Sequence, residues 1–199
     1  MKELLQQYTQ IKSQLKSRLN EFKNLSEEAQ FKEFMFCLLT PQSNAQRCWE
    51  AVEQISQLLK IEEEAVFDIL RTKTRFHIRK TQRILKAYEN WHKIKPYLDN
   101  ENRKELRNLI AETVNGYGLK EAGHFLRNIG LSDNKIAILD RHILRNLQAF
   151  NLIKEIKVKS PRNYLEIEEI YLKFANSINI PADELDLFWW SQENGEIFK

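Results

Sequence analysis

Lys120 is a lysine in an electrostatically unfavourable place. It follows Asn115-Gly116-Tyr117-Gly118 and opens an amphipathic helix, whose N-terminal macrodipole disfavours positive charge. Partial burial there would lower its pKa further and raise the fraction of free amine. A neutral lysine amine attacks a carbonyl-like carbon and forms a Schiff base. Further on, Asp140 follows the apolar Ala137-Ile138-Leu139 and precedes a helix. It fits a plain N-cap. The same carboxylate, held beside Lys120, can also stabilise a cationic sugar or steer a proton, and the two roles are compatible. His142 fits a structural role near the cap or a phosphate contact.

Gly116 and Gly118 lie between two apolar-striped segments, Leu106-Leu109-Ile110-Val114 and Ala122-Phe125-Leu126-Ile129. Two glycines one residue apart permit positive φ and a hairpin too tight for side chains. They also leave backbone N–H groups at a helix start, a natural phosphate site. Alone, the pair is better explained as a packing turn; Lys120 shifts the balance. A second signal is electrostatic. From Arg71 to Lys86 the chain reads RTKTRFHIRKTQRILK, with seven Lys or Arg and no acid. Such a run suits a phosphate backbone and equally suits a solvated helix face. His77, His92 and His124 have no metal-ligand spacing.

These residues must be positioned by helices. The chain has 199 residues, 31 Lys and Arg against 28 Asp and Glu, and 42% hydrophobic residues, a globular composition. It has only five glycines and four prolines, none of the glycines before Gly116. That leaves little material for the tight turns of β-rich folds, so the expected class is all-α. Cys37 and Cys48 are too few for an iron–sulfur cluster or a four-cysteine zinc site and are read as buried, reduced thiols. No apolar leader and no membrane-length stretch is visible, which predicts a cytoplasmic protein. Apolar spacing predicts ten helices. Leu4 to Leu19 line the first, and Phe31, Phe34, Met35 and Leu38 mark a second that stops at Pro41. Ser43 is expected to cap a third, followed by Glu63–Leu70 and Lys80–Lys95, the latter ended by Pro96. The rest are read at 101–113, 120–129, 141–150, 161–178 and 182–193, with Ser160 and Pro161 opening the ninth.

At Gly116–Ala122 (GYGLKEA) and Leu139–Leu144 (LDRHIL) the sequence resembles the helix-hairpin-helix DNA glycosylase superfamily. Further runs are similar to its archaeal-type 8-oxoguanine DNA glycosylase/AP lyases, a family also found in some bacteria. They are Lys120–Gly130 (KEAGHFLRNIG), Leu39–Ser43 (LTPQS), Arg75–His77 (RFH) and the Asp186-Leu187-Phe188-Trp189-Trp190…Gly195…Lys199 end. Gly123 departs from the serine common there.

The resemblance implies a two-lobed helical bundle containing a helix-hairpin-helix motif. One lobe would cover about 30–115, with the hairpin at 104–130 on its edge, and the other 1–29 plus 131–199. It implies Lys120 as nucleophile and Asp140 as essential carboxylate, excision of 8-oxoguanine, and strand nicking by β-elimination. The partner would be double-stranded DNA containing 8-oxoguanine, with no membrane, the protein a monomer, and no cofactor or metal. A flipped base leaves a hole in the stack. Gln42 suits filling it, or is a surface loop amide. Phe76, aromatic amid cations, suits a wedge between bases, or is an ordinary core residue. In 8-oxoguanine N7 carries a proton, so its discrimination requires an acceptor. The family's use of a terminal lysine and the tryptophan nine residues earlier points to Lys199 and Trp190. The competing explanation of Phe188–Trp190 is core packing, which suits Trp189. Two other functions stay open: a glycosylase for a different lesion, and a non-catalytic helix-hairpin-helix DNA-binding module.

Overall fold

The computed structural model describes all 199 residues except the side chain of Asn194. Among the described residues it is all-helical, with ten α-helices, one short 3-10 helix and no strand. The chain divides into two compact units, one of Met1–Asn24 with Leu126–Lys199 and one of Leu25–Phe125.

The contiguous unit holds α2 (Glu27–Leu39), α3 (Ala45–Ser56), α4 (Glu63–Lys73), α5 (His77–Ile94), the 3-10 helix Lys95–Asp99, α6 (Arg103–Thr113) and the first turns of α7 (Leu119–Asn128). Every residue from Glu33 to Leu39 is buried. A helix apolar all round belongs at the centre of its layer, and α2 packs on α3 and α5. Its aromatic face meets a cluster in which Phe34 lies within 5.1–5.3 Å of the rings of Trp91, Tyr117 and Phe125.

The other unit is built around α10 (Ala182–Asn194), which packs on α1 (Lys2–Phe22), α8 (Arg141–Ala149) and α9 (Pro161–Ser177). Here too the central helix is buried on all sides, from Glu184 through Trp189. Trp189 stacks on Phe150 and Phe174, with ring centroids 6.2 and 5.9 Å away, the core role expected for it. Gly130 is fixed by space as well as by conformation. Its φ is +73°, and a Cβ there would lie 2.7 Å from the Lys23 Cα. The Leu131 N–H reaches the Leu126 carbonyl at 2.8 Å, the closure of a Schellman motif.

Two boundaries differ from the sequence expectation for reasons that the tertiary structure supplies. Asn44, not Ser43, caps α3, its side chain accepting from the Arg47 N–H. The Ser43 hydroxyl accepts from the Arg75 N–H at 2.9 Å and from Lys80 Nζ at 2.8 Å instead, so tertiary bonds claimed the better-looking cap. α5 begins at His77, three residues before the expected Lys80, because Phe76 turns the chain by adopting left-handed backbone. Pro96 does end α5, and the chain continues as the 3-10 helix with that proline in its first turn.

Candidate active site

The hairpin between α6 and α7 is anchored by Tyr117. Its ring is buried, and its hydroxyl donates to the Phe34 carbonyl at 2.8 Å. Burial holds the Tyr117 hydroxyl well above the usual tyrosine range, so it stays a donor. Gly116 takes φ +104°, a conformation L side chains rarely adopt. Gly118 does not share it; positive φ is required at only one of the pair. A Cβ on Gly116 would come within 2.5 Å of Arg83 Nε. The basic run and the glycine pair, separate in sequence, therefore meet at this turn.

Lys120 is half-buried in the first turn of α7, its Nζ 2.9 Å from Glu121 Oε1. The other oxygen of Glu121 accepts the Gly118 N–H at 3.1 Å. This is the acidic half of a capping box, and it resolves the anomaly of a lysine at the positive end of a helix. It also means that the Gly118 amide, expected to face a phosphate, is already engaged. The Tyr117 amide likewise donates to the Val114 carbonyl at 3.0 Å. Glu121 was legible in the sequence as a glutamate three residues after Gly118, but its double attachment was not.

Gln42 and Phe76 share two unusual properties. Both have left-handed backbone, φ 56° and 57°, although neither is glycine or asparagine. Both are exposed, Phe76 by 52%, so the core reading of Phe76 is set aside. Gln42 follows Pro41 in a turn closed by the Ser43 N–H on the Thr40 carbonyl at 3.0 Å, where a positive φ normally calls for glycine. The Arg75 guanidinium lies 5.5 Å from the Phe76 ring centre. Ile78, which the sequence reading passed over, is 62% exposed just inside α5.

In the other unit Asp140 caps α8, Oδ1 accepting from the Ile143 N–H at 2.8 Å. That bond takes one of its two oxygens. The buried run Ile136–Leu139 leading to it is pinned by α9. Glu168 accepts the Ala137 N–H at 2.8 Å, and the Tyr164 hydroxyl donates to the Ala137 carbonyl at 2.6 Å. A buried carboxylate set lies in the same unit. Asp186 pairs with Arg127 at 3.0 Å, and Asp183 accepts from the Ser132 hydroxyl at 2.6 Å. Burial pushes Asp186 up to about 7 against the pull of Arg127, with the negative charge of Asp140 adding to the rise. His142 pairs through Nδ1 with Glu193, which also lies 3.7 Å from Arg145.

The chain end is ordered by two features. Gly195, at φ +78°, ends α10 with its N–H on the Ser191 carbonyl at 2.8 Å. The Phe198 carbonyl then accepts from Arg18 Nε at 2.7 Å. Trp190 is half-buried, its ring 6.3 Å from that of Phe198. Lys199 is only 6% exposed, unlike the frayed residues usual at a chain end. Cys37 and Cys48 are buried thiols, and the Cys48 Sγ–H donates to the Leu39 carbonyl at 3.2 Å.

Comparison with known proteins agrees along the whole chain. A family model described as 8-oxoguanine DNA glycosylase matches residues 15–180. The 8-oxoguanine DNA glycosylase/AP lyase of Fusobacterium nucleatum is 37% identical over 206 residues, covering 96% of this chain and 94% of that one. The protein of the same name from Methanocaldococcus jannaschii is 36% identical over 197 residues, with the same coverages. Among solved structures, the 8-oxoguanine DNA glycosylase of Thermotoga maritima matches with a TM-score of 0.89 at 32% identity, over 100% of this chain and 97% of that one. The M. jannaschii 8-oxoguanine glycosylase/lyase in complex with a 15mer DNA containing 8-oxoguanine matches with a TM-score of 0.88 at 33% identity, over 100% of both chains.

Proposed function

The chain belongs to the 8-oxoguanine DNA glycosylase family, and on that footing we propose how its side chains divide the work of a glycosylase and AP lyase acting on 8-oxoguanine in DNA. Lys120 is the nucleophile. Its amine attacks C1′ of the damaged nucleotide while the bond from C1′ to the base breaks, the electron pair leaving with the base. An ammonium must first lose a proton, and Glu121 Oε1, at 2.9 Å, is the acceptor in place. Asp140 supplies the carboxylate that stabilises positive charge on the sugar and helps shuttle protons. Its Oδ1 stays on the Ile143 amide, which fixes the group's direction. The nitrogen's electron pair then forms C=N as the C1′–O4′ bond breaks and O4′ takes a proton, and the resulting Schiff base between Lys120 and C1′ makes the C2′ proton acidic. Loss of that proton expels the 3′ phosphate and nicks the strand.

Around this chemistry, Arg83 at Gly116 offers a cation to the phosphate backbone. Phe76 acts as wedge and Gln42 fills the place of the extruded base, each presented by an exposed left-handed residue. Trp190 stacks on the flipped base, and Lys199 takes part in reading it. His142, paired with Glu193, supports the phosphate-facing start of α8. The protein works as a monomer in the cytoplasm.

The observation that carries this reading is the lysine–glutamate pair at the head of α7, directly after a glycine hairpin. Borohydride trapping on duplex DNA containing 8-oxoguanine tests it. Wild type should form a covalent adduct and Lys120→Gln none; an adduct with Lys120→Gln removes the lysine from the mechanism. Asp140→Asn should slow turnover while damaged-DNA binding stays measurable.

A further inference from the structure

Lys80 is a lysine in the interior, 1% exposed, on the first turn of α5. Its ammonium has three N–H groups and three acceptors. They are the Leu39 carbonyl at 2.6 Å, the Pro41 carbonyl at 3.0 Å and the Ser43 hydroxyl at 2.8 Å. All three are neutral. Burying an ammonium without a carboxylate is expensive, and an apolar side chain of similar length would serve packing alone at lower cost. Burial accordingly pulls the Lys80 amine down to about 8, and the neighbouring Arg83 and Arg75 pull in the same direction.

The placement of the acceptors shows what the charge accomplishes. Pro41 precedes Gln42 and Ser43 follows it, so the ammonium holds both sides of the left-handed residue. The main chain of Lys80 holds the second left-handed residue, its N–H donating to the Phe76 carbonyl at 3.1 Å. Ser43 closes the circuit, its hydroxyl also accepting the Arg75 N–H at 2.9 Å. One side chain thus ties the Gln42 turn to the start of α5, where Phe76 stands.

We propose that Lys80 is a positioning residue for duplex opening, a buried clamp that holds Gln42 and Phe76 in the strained conformations from which they enter the DNA. The proposal rests on the reading of those two residues as the wedge and the filler. It separates two abilities. Lys80 is needed to open a duplex at the lesion and is not needed for chemistry on a nucleotide already unstacked.

The test uses the full chain and two substrates. Excision is measured on duplex DNA containing 8-oxoguanine, and borohydride trapping on a single strand carrying an abasic site. Lys80→Met should lower duplex excision at least tenfold while trapping stays within twofold of wild type. A 2-aminopurine placed next to the lesion should brighten less with the variant than with wild type, reporting weaker unstacking. Equal losses on both substrates, or duplex excision within twofold of wild type, overturn the clamp. Gln42→Ala and Phe76→Ala are assayed alongside. If both leave duplex excision unchanged, the wedge-and-filler reading fails, and the clamp falls with it. Should Lys80→Met not fold, Ser43→Ala removes one of the three acceptors and leaves the lysine in place. A two- to fivefold loss confined to the duplex then supports the proposal, and no difference between substrates overturns it.

Discussion

Gln42 stands in a conformation that is poor for the fold, and the use proposed for it is at the site. A non-glycine residue in left-handed backbone costs roughly 1–2 kcal/mol, and the Pro41-Gln42 turn bears that cost in the open. Gln42→Gly should therefore stabilise the protein, by about 0.5–1 kcal/mol after the added freedom of glycine in the unfolded chain is counted. If Gln42 has the role proposed for it, the same change should lower duplex excision, because it removes the amide assigned to the stack. Urea unfolding and an excision assay on one preparation check both signs. Glu121 argues the other way, as a residue with two attachments whose charge matters to only one. Glu121→Gln keeps an amide oxygen for the Gly118 N–H and removes the proton acceptor beside Lys120. Adduct formation should slow by tenfold or more while the melting temperature changes little; an unchanged trapping rate would assign that proton to another group.

At the level of elements, the hairpin depends on a hydrogen bond that reaches into α2. Tyr117→Phe deletes the donor to the Phe34 carbonyl and keeps the ring in its aromatic cluster. The expected loss is about 1 kcal/mol of stability, read as a lower urea midpoint, with a reduced trapping rate as the hairpin loosens. The helices themselves were legible in the sequence. The three- and four-residue apolar spacing of α1, α3 and α9, and the Ser160-Pro161 start of α9, are local signals, and local signals survive translation into structure. What the sequence did not disclose is set by contacts across long separations. Ser43 reads as a cap until Lys80 and Arg75 claim its hydroxyl. Phe76 reads equally as core or wedge until its left-handed backbone turns it outward. Lys80 is one cation among seven in its run, and nothing local marks it as the one that goes inside. Lys120 and Asp140 stand out in the sequence by residue type and place, whereas the neighbours that hold them, Glu121 at one and the Ile143 amide at the other, come from the structure.

For the molecule as a whole, the buried carboxylates set a pH dependence. Asp186, raised by burial to about 7 from its ordinary 3.8, is protonated in the folded chain over a range where the unfolded chain has released that proton. Between about pH 4 and about pH 7 the folded state binds the extra proton, so the stability contributed at this site falls as pH rises through that window. Asp186→Asn removes the titration. The stability advantage of wild type over the variant should be larger at pH 5 than at pH 7.5 in urea unfolding; a gap independent of pH would place the Asp186 proton elsewhere. A different consequence follows from the pairing of α1 with α10. Tyr8 bonds to Glu184 and packs edge-on against Phe188, and Arg18 holds the Phe198 carbonyl. During synthesis the residues from 23 to 181 must be added before the first residue of α10 exists. At about 5–20 residues per second that takes roughly 8–30 s. α1, made well before α10, is therefore among the last helices to be covered. For that interval Leu4, Tyr8, Leu15 and Phe22, all buried in the finished fold, form an uncovered apolar stripe on the nascent chain, the part of this protein most in need of shelter while it is being made.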